Sequence, residues 1–140
     1  MTLFRRILVA TDFSPASTPA LEQSLKMARR EGALLLIAHA YQEPGLVELS
    51  HAPARVYEEW DQSLRDQVEE KLERLVERAT KAGVSTRALI LSGAPDEAIT
   101  EAAVENGADL LILGTHGRKG VSKFFLGSVA ASSLRPPAPS

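Results

Sequence analysis

Hydrophobic and polar positions alternate in blocks along this chain. Arg6-Ile7-Leu8-Val9-Ala10 is a β-rich apolar run stopped by Thr11-Asp12-Phe13-Ser14-Pro15, the pattern of a strand buried on both faces and followed by a loop. A helix follows: Thr18 can cap it, Pro19 suits its first turn, Leu21, Leu25 and Ala28 share one face, and Gly32 supplies the stop. Ala33–Tyr41 reads as a second buried strand, and residues 42–54, with Pro44, Gly45 and Pro53, as a long loop able to act as a flap. From Val56 the positions Trp60, Leu64, Val68, Leu72, Leu75 and Ala79 recur every three or four residues. They predict a long amphipathic helix to about Ala82, with Trp60 to Leu72 packed on the sheet and an acidic, solvated outer face.

Gly83 ends that helix. Val84–Leu91 is a third strand, Asp96–Asn106 a helix ending at Gly107, and Asp109–Leu113 a fourth strand. Residues 114–126 read as a basic, glycine-bearing loop, and Gly127–Leu134 as a short helix. Strand and helix thus alternate four times, with connections long enough for parallel crossovers. This predicts a doubly wound α/β sandwich, whose winding reverses between the first and fourth strands if the order is third, second, first, fourth. Ligands in such sheets bind beyond the carboxyl ends where the winding reverses. That crevice would lie between Ala10-Thr11-Asp12 and Gly114-Thr115-His116-Gly117.

The 140 residues, 44% hydrophobic and 24% charged, are those of one globular domain. With no cysteine, disulfides, thiolate metal sites and cysteine nucleophiles are excluded. The N-terminus lacks a signal-peptide pattern, and the apolar run Leu34–Ala38 is too short to span a bilayer, so a cytoplasmic protein without a membrane partner is expected. A net charge of −2 argues neither for a generic nucleic-acid binder nor for a polyanion mimic, and no nucleic-acid partner is expected. The charge is unevenly spread. Residues 110–140 contain no acid and four cations, Arg118, Lys119, Lys123 and Arg135, which leaves −6 on residues 1–109.

Phosphate oxygens need convergent donors and a closely approaching backbone, which glycines before a helix N-terminus provide. Gly114-x-x-Gly117 followed after nine residues by Gly127-Ser128 fits that need. Turn glycines and a capped helix would give the same spacing, and the neighbouring Arg118, Lys119 and Lys123 favour the anion site. Neither a P-loop nor a Gly-x-Gly-x-x-Gly fingerprint occurs, which disfavours efficient phosphoryl transfer. Asp12 could accept hydrogen bonds from a ribose, hold magnesium through water, or cap the following turn. His116 is either a phosphate donor or simply exposed, and His39 is a satisfied core histidine. A hydrolase triad of Asp12, His116 and Ser128 lacks the nucleophile elbow, and a receiver domain lacks its acidic cluster.

Ile7-Leu8-Val9-Ala10-Thr11-Asp12-Phe13-Ser14, the strand ending in His39-Ala40, and Gly114-x-x-Gly117-x₉-Gly127-Ser128 resemble the universal stress protein family, in its ATP-binding branch, from about Phe4 to Leu134. The resemblance implies an adenine-nucleotide alpha-hydrolase-like sandwich over residues 1–134. It implies adenine contacts from Ala10, Thr11, Asp12 and Ala40, and phosphate or ribose contacts from Leu113, Gly114, His116, Gly117, Arg118, Gly127, Ser128 and Val129. The implied function is a stress-response sensor or regulator holding ATP, ADP or AMP, with magnesium on Asp12 through water and at most slow hydrolysis rather than an enzyme's turnover. The rival reading is an interaction module of the same fold that needs no nucleotide. One departure stands out. The family's apolar fifth strand is replaced by the proline-rich tail 135–140, so the fourth strand is expected to be an open edge and a homodimer would need another contact.

Overall fold

A computed structural model of the chain describes residues 3–41, 53–116 and 122–128. β1 (Arg6–Ala10) leads through a 3₁₀ turn (Pro15–Ser17) into α1 (Thr18–Glu31), then β2 (Leu34–Tyr41), α2 (Ala54–Lys81), β3 (Thr86–Ser92), α3 (Pro95–Glu105), β4 (Leu110–His116) and β5 (Ser122–Ser128). The sheet order is β3-β2-β1-β4-β5. The first four strands are parallel, as the alternation of elements predicts, with Ile7 opposite both Leu35 and Leu110.

The unbroken apolar strands are explained by two packed faces. Ile7, Val9, Leu35, Ile37, Leu110 and Ile112 point to one side and bury against α1 and α2 through Met27, Ala28, Val68, Leu72 and Ala79. Their neighbours Leu8, Leu36 and Ala38 point to the other side, against Ala102 and Ala103 of α3 and Ala108 just beyond it. Successive strand residues face opposite ways, so a strand covered on both sides must be apolar at every position. The amino ends of β1 and β4 are tied by the Asp109 carboxylate, whose Oδ2 accepts from the Arg5 and Arg6 amides at 2.7 and 3.0 Å.

Gly32 ends α1 in the left-handed conformation (φ 65°), its N–H donating to Ala28 O, the stop that only glycine adopts without strain. Thr18 is the first residue of α1 rather than its cap, because the 3₁₀ turn places Ser17 at the cap position. Trp60 departs from its expected place in the core and is 47% exposed, whereas Val68 and Leu72 are buried. A 28-residue helix is about 42 Å long and an eight-residue strand about 26 Å, so the first turns of α2 outrun the sheet.

The four parallel strands carry a further strand that the sequence reading places in a loop. β5 runs antiparallel to β4, pairing Leu110 with Ser128 and His116 with Ser122. The edge of β4 is therefore covered, and the cover comes from upstream of the proline-rich tail. The tail itself, residues 135–140, lies outside the described residues. No helix among the described residues is long and apolar enough to cross a membrane.

Candidate functional site

The carboxyl ends of β1, β2 and β4 open into a crevice of about 300 Å³. Six of the expected contact residues line it: Ala10, Thr11 and Asp12 from β1 and its exit, Ala40 from β2, and Leu113 and Gly114 from β4. Pro95, Asp96 and Ile99, which the sequence reading missed, complete the wall. Their signal lay in the strand order. A chain passing from β3 at one edge to β4 must cross β2 and β1, so the start of α3 overlies the crevice. Pro95 at the first helical position lacks an N–H, and Asp96 and Glu97 occupy the electropositive first turn.

Thr11 is more committed to the protein than a ligand contact requires. Its amide donates to Ala38 O at 2.9 Å, and its carbonyl accepts from His39 Nδ1–H at 2.7 Å. Ser17 Oγ donates its single proton to Ser14 O at 2.8 Å, so the 2.9 Å contact between Thr11 Oγ1 and Ser17 Oγ is donated by Thr11. Thr11 Oγ1 in turn accepts from Phe13 N at 3.0 Å. The hydroxyl proton is thus spent on holding the 3₁₀ turn, and Thr11 shapes the crevice rather than donating into it. His39 is half-buried and outside the core, its Nδ1 bonded to Thr11 O and its ring tilted against Phe13 at 4.4 Å between centroids. Asp12 is exposed and caps the turn after β1, its Oδ1 accepting from the amide and hydroxyl of Ser14.

Gly114 has a packing reason to be glycine. A Cβ there would sit 3.0 Å from Ser17 Cα and 3.4 Å from Ala20 Cβ, so the 3₁₀ turn and α1 approach β4 at backbone contact. Among the described residues the two halves of the expected anion cradle are not brought together. Gly127 and Ser128 belong to β5, opposite Leu111 and Leu110, and not to a helix N-terminus. His116 is the last residue of β4 and Ser128 pairs with its first, so the two stand about 20 Å apart along the strand. Gly117, Arg118 and Val129 lie outside the described residues. The described lining carries two carboxylates, Asp12 and Asp96, and no lysine, arginine or histidine. No group of three or more His, Asp or Glu suited to a metal occurs among the described residues, so a cation here would rest on one or two carboxylates.

A model of the Universal stress protein family matches residues 3–135. The chain belongs to the universal stress protein family. A family member of Thermus aquaticus, the universal stress protein in the QAH/OAS sulfhydrylase 3′ region, is 36% identical over 135 residues, covering 90% of this chain and 88% of its own. The crystal structure of a member from Burkholderia pseudomallei is 25% identical with a TM-score of 0.68, covering 83% of this chain and 85% of that one. Another universal stress protein, 29% identical with a TM-score of 0.53 over 77% of this chain and 70% of its own, was solved in complex with cAMP. At least one member of the family therefore binds a nucleotide.

Proposed function

We propose that the crevice binds an adenine nucleotide and that the protein is a cytoplasmic stress-response sensor or regulator rather than a turnover enzyme. The observation that carries this reading is the convergence of Ala10, Asp12, Ala40, Leu113 and Gly114 at the point where the sheet's winding reverses. Ala10, Ala40, Ile99 and Leu113 offer an apolar slot for a flat base, and the Asp96 carboxylate accepts from ribose hydroxyls. The relative solved with cAMP supports the same ligand class.

Two carboxylates and no cation on the described wall repel bare phosphates. Magnesium removes that repulsion, since it binds through one or two carboxylates together with substrate phosphates and retained waters. Asp12, with Asp96 beside the same crevice, would hold it. The described wall carries no lysine or arginine to stabilise a transferring phosphoryl group, which supports slow hydrolysis at most.

A thermal-shift series with adenosine, AMP and ATP, with and without magnesium, tests the reading. A ligand at 100 times its Kd adds about 2.7 kcal/mol. With an unfolding entropy of about 2.1 cal/mol/K per residue, that raises Tm by about 9 °C for 140 residues. Adenosine should stabilise with or without magnesium, and ATP only with it. No shift with any of the three rejects nucleotide binding in favour of the nucleotide-independent interaction module.

A further inference from the structure

A second hollow of about 300 Å³ lies on the other face of the sheet, between the exit of β1, α1 and α2, with Thr11 bordering both it and the crevice. Its chemistry is the reverse of the crevice's. Lys71, Arg74 and Arg78 of α2 line it, and no carboxylate does among the described lining residues. Positions 71, 74 and 78 share one helix face within two turns, spreading the three cations over about 10 Å. The floor is apolar: Phe13, Leu21 and Leu75 are partly buried and rest on the main core.

Two further observations set this hollow apart from a solvated charged face. Phe13 adopts φ 64°, alone among the described non-glycine residues, a conformation costing on the order of 1–3 kcal/mol that clusters at ligand sites. Its ring is thereby presented to the hollow, with Lys71 Nζ 5.3 Å from the centroid. The carboxylates paired with the arginines stand outside the lining: Glu70 with Arg74, and Glu22, reaching across from α1, with Arg78. Arg74 and Glu70 are 73% and 65% exposed, and exposed pairs of this kind contribute only about 0.2–1 kcal/mol. A carboxylate arriving on an apolar body that covers Phe13 and Leu75 can displace Glu70.

We propose that this hollow is a binding site for a small amphipathic monocarboxylate, with its apolar body on Phe13, Leu21 and Leu75 and its carboxylate on Lys71 and Arg74. The volume lies at the small end of ligand pockets, which suits a two-ring or medium-chain acid. The probe is 2-naphthoate, titrated into the full chain by calorimetry and followed by its own fluorescence. Saturable one-to-one binding is expected. Lys71→Gln and Arg74→Gln, both at exposed positions, should each weaken it about tenfold, the loss of one charge-assisted contact, with Tm unchanged. The neutral 2-naphthalenemethanol should bind at least about tenfold more weakly for the same reason. Asp96→Asn in the crevice should leave 2-naphthoate binding unaltered. Absence of saturation at millimolar probe, equal binding of the alcohol, indifference to both α2 variants, or loss through the crevice variant would each overturn the assignment.

Discussion

Replacing Gly114 by alanine tests the backbone contact that shapes both hollows. The new Cβ would meet Ser17 Cα at 3.0 Å, Ala20 Cβ at 3.4 Å and Ser17 Cβ at 3.5 Å. Carbon atoms are at ease about 3.5–4.0 Å apart, so Ser17 must retreat by about half an ångström. It is poorly placed to do so. Ser17 is buried, its amide donates to Ser14 O at 3.0 Å, and its hydroxyl is bonded to both Ser14 and Thr11. Overpacking of this kind costs about 1–3 kcal/mol. The reduced freedom of the unfolded chain returns about 0.4–1 kcal/mol, leaving a net loss of about 0–2.6 kcal/mol, about 1–2 towards the middle of both ranges. The unfolding entropy used above, about 0.29 kcal/mol/K for 140 residues, converts those middle values to a Tm lower by about 3–7 °C in scanning calorimetry. A raised Tm would mean that the entropic gain stands alone and that the 3₁₀ turn does not press on β4.

Leu72 is fully buried beneath the sheet, and Leu72→Ala should cost about 2–5 kcal/mol, read as a lower urea midpoint at unchanged slope; a loss under 1 kcal/mol would remove α2 from the core. Asp109→Ala deletes the acceptor of two amides and should cost about 1–2 kcal/mol, with faster exchange of the Arg5 and Arg6 amides, whereas Asp109→Asn keeps one acceptor and recovers part of the loss. Gly127→Asp should leave adenosine affinity unchanged, because Gly127 pairs with Leu111 and not with the carboxyl end of β4; a lost affinity would return Gly127 to the crevice.

The parallel order and the crevice were legible because they rest on strongly periodic signals. Ile7 to Ala10 and Leu34 to Ala38 could be buried only on two faces, and the alternation of strands and helices left few topologies. What failed rested on short range. Lys123-Phe124-Phe125-Leu126 has the aromatic content of a strand, and the five residues separating His116 from Ser122 suit a hairpin. Gly127-Ser128, however, reads equally well as a helix start, and only pairing with β4 decides between them. Asp12 reads as a ligand contact or a turn cap, and its bonds to Ser14 show the cap in a residue that also lines the crevice. Trp60 continued the apolar period of α2, but period says nothing about how far the sheet extends beneath a helix. Lys71, Arg74 and Arg78 were lost in a face read as acidic and solvated, since their concavity depends on Phe13 folding back beneath them.

The sheet is clad unequally. Two helices with leucine, methionine and valine insulate one side, while among the described residues the other is shielded by the eleven residues of α3, docked through the methyls of Ala102 and Ala103 and the partly buried Ile99, with Ala108 just beyond its end. So thin an attachment should detach well below the free energy of global unfolding, making α3 a separate opening unit in native-state hydrogen exchange. Pro95, Asp96 and Ile99 would leave with it. A small molecule bridging Ala10 and Ile99 would therefore act as a clasp, slowing exchange along α3 while the amides of α1 and α2 keep their pace.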